Sequence, residues 1–400
     1  MNFDLVFEGG GAKGMAFVGA LQEFESRGHK PGRLLGSSAG AITATLLAAG
    51  YSSAEILNAL NEKLPDGKSV FSSFLADPGP FDHEVIKNSS IRALLQTLNI
   101  PFLPDFLEDV VDDSIVNNLA NANSFRNFFS FIELGGWFSA NQFTSWMENK
   151  LNSGTFAGNP RNFGNMTLQQ FYDVTNTDLS VVASDTSAKQ MLVLNHVTAP
   201  QCPVLMAVRM SMSVPLLWQD VTWQAEWGTY LGRNLHGNSI VDGGLLSNFP
   251  IELFLSNLKD VTRVMGDAVS QNILGLLIDE EGFVPGTVAN SPLTNTFNIT
   301  DFILVQRLSR LIDTTLSARD KMVIDVYADM VVRLPAKGYG TTEFDMSETR
   351  KQVLIEAGRL AMQHYFNSTP IQSSNTIRFR SSVNDITNTI TNNTALKILK

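Results

Sequence analysis

Leu34-Leu35-Gly36-Ser37-Ser38-Ala39-Gly40, running on through Ala41-Ile42-Thr43-Ala44-Thr45-Leu46-Leu47-Ala48-Ala49, is the stretch that decides the fold. Leu34 and Leu35 read as the end of a buried strand, and the small and aliphatic residues from Ala39 to Ala49 read as a helix. Between them the chain must double back, where a Cβ at Gly36 or Gly40 would clash. The pattern predicts a nucleophile elbow with Ser38 at a helix N-terminus, where unpaired N–H groups and the helix dipole favour a developing alkoxide. Ser37 is the weaker candidate, because no glycine stands two residues to either side of it. The competing reading is an ordinary N-cap serine. With 29 glycines in 400 residues, about 0.15 such matches arise by chance, so other parts of the chain have to decide.

Upstream, Asp4-Leu5-Val6-Phe7-Glu8 leads into Gly9-Gly10-Gly11-Ala12-Lys13-Gly14 and then a helical pattern of Met15, Val18, Leu21 and Phe24. Strand, glycine loop and helix bring bare backbone N–H groups to a helix N-terminus, which suits a phosphate or an oxyanion. Gly9, Gly11 and Gly14 match the dinucleotide fingerprint in letter. That fingerprint requires an acidic residue at the end of the second strand to hold a ribose, and here the second strand ends in Gly36-Ser37-Ser38. Walker A fails because no Gly-Lys-Ser/Thr follows the loop. An oxyanion loop accounts for both glycine sites at once.

Downstream, Ile240-Val241-Asp242-Gly243-Gly244 ends a short apolar run and is followed by Leu245, Leu246, Asn248, Phe249 and Pro250. Asp-Gly alone is usually a turn. Taken together, the glycine loop, the Gly-x-Ser-x-Gly elbow and the late Asp-Gly-Gly, in that order and with Ser213-Val214-Pro215 before the aspartate, resemble the patatin-like phospholipase family. The resemblance is good over residues 4–50 and about 167–255 and loose elsewhere.

The resemblance implies an α/β fold of three layers, α/β/α, with a central, mostly parallel sheet and an inserted aromatic-rich helical cap. It implies a Ser-Asp dyad in which Ser38 attacks an acyl ester and Asp242 takes its proton. The oxyanion role falls on Gly10 and Gly11, with Gly9 shaping the turn; Gly36, Gly40, Gly243 and Gly244 support the elbow and the aspartate. Lys13 stands where many members carry arginine and keeps a positive charge near the loop. The activity implied is a serine lipid acyl hydrolase of phospholipase A or lysophospholipase type, with a phospholipid or lysophospholipid substrate. A protein or small-molecule activator, as in bacterial toxin or antiphage effectors, belongs to the same implication, whereas the expected peripheral membrane contact rests on insertion of the aromatic face of the cap. No cofactor and no metal is implied, since no His/Cys/acid cluster has ligand spacing.

A carboxylate with an ordinary pKa near 4 is a weak base for a serine hydroxyl. Burial must raise the aspartate while the helix dipole and glycine N–H groups lower the serine. The alternative is a Ser-His-acid triad, for which the chain order of an α/β-hydrolase leaves His364 as the candidate among His29, His83, His196, His236 and His364. His364 lies in a helical stretch, Glu356 to Phe366, and reads as a surface or packing residue. His236, six residues before Asp242, stands near enough in sequence to line the site. A catalytically silent lipid-binding or regulatory protein on the same fold, and acyl transfer to an acceptor other than water, also stay open.

Composition agrees with an enzyme of one large α/β domain. The 39 acidic and 29 basic side chains give a net charge of −10, which argues against nucleic acid as a partner and against bulk attraction to anionic lipid. The single Cys202 sits in an apolar segment and reads as buried and inert. Asp4 and Glu8 at the start do not make a signal peptide, so the expected location is cytoplasmic with peripheral membrane association, and delivery as a secreted effector without a signal peptide stays open. Leu34 to Ala54, the longest uncharged stretch, reads as a core helix.

The catalytic domain is expected over residues 1–366, with 66–165 as the inserted cap and 367–400 as a polar tail. The cap holds Phe102, Phe106, Phe125, Phe128, Phe129, Phe131, Trp137, Phe138, Phe143 and Trp146. Most are read as core aromatics; the sharper alternative is an acyl-admitting or bilayer-dipping face. Phe71 to Phe81, mixing apolar and breaker residues, reads as a mobile flap. Further strands are expected at Leu179–Ala183, Met191–Asn195, Ile273–Asp279 and Val331–Leu334, and helices at Pro203–Met212, Phe302–Ser317 and Ser347–Phe366.

Overall fold

Strands such as Leu5-Val6-Phe7 carry apolar residues at every position, so both of their faces must be covered. In the computed structural model, which describes residues 1–97, 120–122, 125–266, 272–286, 327–368 and 391–392, helices cover them. The sheet contains β1 (Asn2–Phe7), β2 (Lys30–Ser37), β3 (Leu179–Asp185), β4 (Gln190–Leu194), β5 (Val221–Thr222), β6 (Ser239–Asp242), β7 (Ile273–Asp279) and β8 (Val331–Pro335). Their order is β8-β7-β1-β2-β3-β6-β5, with β4 also paired to β3. β8, β7, β1, β2 and β3 run parallel, while β4, β6 and β5 pair antiparallel. The sheet is thus mixed, and its parallel half carries the glycine loop and the elbow.

Among the helices are α1 (Met15–Ser26), α2 (Ala39–Ala48), α3 (Arg126–Glu133), α4 (Asn141–Asn152), α5 (Val204–Ser211), α6 (Glu252–Leu255), α7 (Lys259–Met265) and α8 (Glu348–Ser368). Alternate strand residues face opposite sides. Leu5, Phe7, Leu34, Val181, Leu274 and Leu276 join α1, α2, α4, α5 and α8 in one core; Val6, Leu35, Val182 and Leu277 meet Phe249, Ile251, Val261 and Val264 in the other. This is the three-layer α/β/α arrangement of the expected fold class.

Of the aromatics of residues 66–165 expected in a core, Phe129, Phe138, Phe143 and Trp146 are buried. Phe71, Phe74, Phe143 and Trp146 pack edge-to-face or tilted, with ring centroids 4.9–5.5 Å apart along the contacts Phe71–Phe74, Phe74–Phe143, Phe71–Trp146 and Phe74–Trp146, and they belong to the main core. This corrects the flap reading: Phe71 and Phe74 are buried, because the aromatic surface they hide outweighs the breaker residues after them. Phe129 anchors a smaller cluster with Phe81 and Phe125, whereas Phe128 is 44% exposed. Phe102, Phe106, the helix expected at Phe302–Ser317 and nearly all of the tail lie outside the described residues. Within the tail, Thr391 meets the Tyr327 hydroxyl and Asn392 accepts from Ser256 Oγ at 2.9 Å. Cys202 is buried, and burial pushes its thiol far up. No helix among the described residues is long and apolar enough to cross a membrane.

Candidate active site

One feature of the sheet brings the two halves of the site together. β2 and β6 lie end to end along the same side of β3: Ser37 stands opposite Val182, and Asp242 opposite Ala183. Successive rungs are about 3.3 Å apart. The strand carrying the elbow therefore stops where the antiparallel strand carrying the aspartate arrives, although Ser38 and Asp242 are 204 residues apart in sequence.

Ser38 has φ 51° and ψ −122°, a region that non-glycine residues occupy only under tertiary constraint. Its side chain makes no capping hydrogen bond to α2, which removes the ordinary N-cap reading. Its N–H donates to Ser211 Oγ at 2.9 Å, so the buried amide at the strained turn is satisfied from α5. Space around the elbow is closed by backbone. A Cβ on Gly36 would lie 2.3 Å from the Gly40 carbonyl oxygen, and one on Gly40 would lie 2.4 Å from that of Phe7. Gly40→Ala is expected to cost at least about 3 kcal/mol, because rigid backbone cannot give way; a Tm within 2 °C of the unsubstituted protein would disprove the tight turn.

Asp242 is buried, 4% exposed against 8% for Ser38. Gly244 N–H donates to its Oδ1 at 2.7 Å. The Ser38 hydroxyl faces the carboxyl closely enough to favour its charged form, but it falls short of good hydrogen-bond geometry, and Oδ2 is left without a partner among the described residues. Loose contacts of this kind are common before substrate arrives. Burial dominates and raises the carboxyl to about 7, against the smaller opposing effects of Ser38 and the Gly244 N–H. The backbone of Asp242 is held as well, its N–H donating to the Ser213 carbonyl at 2.9 Å. Gly243 packs against β3, where a Cβ would come 2.4 Å from the Val182 carbonyl oxygen.

The glycine loop lies against the elbow, since a Cβ on Gly9 would be 3.0 Å from Ser38 Cβ. Gly9 N–H donates to the Asn248 carbonyl at 3.2 Å and Ala12 N–H to the Thr341 carbonyl at 2.9 Å. Between these anchors no protein acceptor among the described residues takes the N–H of Gly10 or Gly11. Gly11 has φ +53°, and the loop turns there into α1. Lys13, in the loop, is buried, and its Nζ is paired with Glu280, just past β7. The pairing satisfies a desolvated ammonium, which cannot be left alone in the interior, and it turns the charge toward the β7 side of the loop.

The histidines stand elsewhere. His364 is exposed on α8 and His236 is exposed in a turn whose N–H bonds Asn234. His29 packs among Phe3, Phe24 and Phe366 at the start of β2, and His196 stacks on Tyr172 at 3.7 Å. His83 begins the short helix His83–Lys87. The neighbours that sequence reasoning did not assign are Ser211, Asn248 and Thr341. Asn248 Nδ2 donates to the Gly9 carbonyl at 2.9 Å and to Glu8 Oε1 at 3.3 Å, clamping the glycine loop; its place six residues after Asp242 was visible, its target was not.

The chain is similar to known proteins. The family model described as patatin-like phospholipase matches residues 5–255. The uncharacterized protein YqhO of Bacillus subtilis (strain 168) is 27% identical over 367 residues, 90% of this chain and 96% of its own length. Among solved structures, VipD from Legionella pneumophila is 16% identical with a TM-score of 0.43, covering 92% of this chain and 67% of VipD. Full-length ExoU in complex with SpcU, from the type III secretion system of Pseudomonas aeruginosa, is 16% identical with a TM-score of 0.37, covering 93% of this chain and 53% of ExoU. With its elbow, aspartate and glycine loop all inside the matched span, which is well over half of its length, the chain belongs to the patatin-like phospholipase family.

Proposed function

We propose that the protein is a serine lipid acyl hydrolase that works by a Ser38–Asp242 dyad on phospholipid or lysophospholipid esters. The observation that carries this reading is the meeting of a strained, uncapped serine and a buried aspartate raised to about 7. An aspartate at that value is a competent base near neutral pH. In the reaction, Ser38 Oγ attacks the ester carbonyl as its proton passes to Asp242, and the carbonyl oxygen becomes an oxyanion facing the Gly10 and Gly11 amides. Collapse breaks the ester bond, the leaving alkoxide takes the proton from Asp242, and an acyl-Ser38 ester remains. Water then repeats the sequence, giving fatty acid and free Ser38. No metal enters these steps.

The depth of Ser38 supports a substrate that reaches it as a single extended acyl ester drawn from a lipid surface, so peripheral membrane contact is part of the reading. A protein or small-molecule activator that opens the approach is compatible with the same burial. The test is fatty acid release from mixed phospholipid vesicles in the presence of a calcium chelator, comparing the wild type with Ser38→Ala and Asp242→Asn. Release by the wild type and neither variant is the expected result; equal release by Ser38→Ala would remove Ser38 from the chemistry.

A further inference from the structure

We propose that residues 336–350, beyond the family-matched span, form a brace that positions the oxyanion loop, with Arg350 and Glu343 as its positioning residues. The inference rests on the dyad reading above. The segment runs from the end of β8 into α8 and crosses the C-terminal ends of β7 and β1. Ala336 N–H donates to the Asp279 carbonyl at 2.8 Å and Lys337 N–H to that of Gly282 at 3.0 Å. It then reaches the glycine loop, where the Thr341 carbonyl accepts the Ala12 N–H at 2.9 Å and lies so near Gly11 that a Cβ there would be 2.2 Å from its oxygen.

Successive peptide planes share an α-carbon, so the direction of the Gly10 and Gly11 N–H groups follows from the planes on either side. Asn248 fixes one end of the loop through Gly9, and Thr341 fixes the other through Ala12. Rate depends on donors pre-aimed at the position the oxyanion will occupy, and a misplacement of about 1 Å is costly.

Thr341 is itself held by an arginine fork. Arg350 Nε and Nη2 donate to Glu343 Oε1 and Oε2 at 2.7 and 3.0 Å, and Nη2 also donates to the Gly338 carbonyl at 2.9 Å. Glu343 Oε2 in turn accepts the Gly340 N–H at 3.1 Å, and the guanidinium lies 4.2 Å from the Tyr339 ring centroid. The clamp therefore ties both sides of the turn that carries Thr341. Phe344 packs 5.8 Å from the Trp218 ring, and Tyr339 and Met346 are buried. A partly exposed ion pair contributes little to global stability, which makes an effect on rate separable from an effect on folding.

The test uses the full chain with p-nitrophenyl butyrate as substrate and a fluorophosphonate to titrate reactive Ser38. Arg350→Met and Glu343→Gln are each expected to lower kcat per titrated site about tenfold while KM stays within about twofold, because the oxyanion exists only after attack. The double variant should be no worse than the poorer single one, and Arg350→Lys should recover part of the loss. A kcat per titrated site within twofold of wild type in both single variants, at unchanged Tm, overturns the brace. So does a loss confined to the fraction of titratable sites, the signature of a merely structural role. Failure of the dyad reading shows differently: Ser38→Ala turns over like wild type, or the wild type neither turns over nor takes the label.

Discussion

Ser38→Ala is expected to lower ester turnover by about 10⁴-fold or more while the protein stays folded, since the hydroxyl makes no capping bond that the fold relies on. Ser38→Gly should be equally inactive yet more stable than Ser38→Ala by about 1 kcal/mol. The reason is the φ of 51° at this position, which glycine adopts freely and alanine does not. Ordinary turns and helices give the opposite order, glycine being the more flexible residue in the unfolded chain. Thermal denaturation of the two variants side by side checks this, and a less stable glycine variant would show that the elbow holds no strain.

Asp242→Asn should separate activity from stability in opposite directions. Turnover is expected to fall by about 10³-fold or more for loss of the base. For the wild type, kcat/KM should rise about tenfold per pH unit below pH 7 and level off above it, since the carboxyl must be ionised and is raised to about 7.

The same shift destabilises the folded protein. The unfolded carboxyl ionises near 3.8 and the folded one near 7, so between those values the native state holds the extra proton and stability falls as pH rises. At about 1.4 kcal/mol per unit the wild type loses on the order of 4 kcal/mol by pH 8. Asparagine avoids that loss but leaves an unpaired amide where Oδ2 has no partner, at about 1–3 kcal/mol. The variant should therefore be the more stable protein at pH 8, by about 1–3 kcal/mol, and lose its advantage by pH 4. Equal pH dependence of Tm in the two proteins would show that Asp242 ionises as an ordinary exposed carboxylate.

These expectations separate what was legible from what was not. The elbow was legible because its requirements are local: Gly36 and Gly40 are close to the backbone of the turn they flank. Ile273–Asp279 was legible as a strand because it carries no polar side chain before its terminal aspartate, and the strand Val331–Pro335 and the helix Glu348–Ser368 fell within one or two residues of their expected ends. The flap reading failed because Pro78, Gly79 and Pro80 were weighed as breakers without the ring contacts that hold Phe71 and Phe74 inside. Lys13 was placed by its loop and not by its partner, Glu280, which lies 267 residues away.

Sequence by itself determined the glycine loop and the sharp turn at Ser38, because each depends on residues within a few positions of one another, and the order of these motifs along the chain carried the resemblance that implied the layered α/β class. Only the tertiary structure decided that Asp242 follows directly beyond the elbow on the edge of β3, that Ser211 takes the Ser38 N–H, and that Thr341 holds the far end of the glycine loop. The first depends on strand register and the third on a backbone carbonyl, neither of which leaves a mark on residue type, and the second on a serine hydroxyl that lies 173 positions away in sequence. The raised carboxyl of Asp242 has the same origin: it is a property of burial, which the whole fold supplies and no local motif contains.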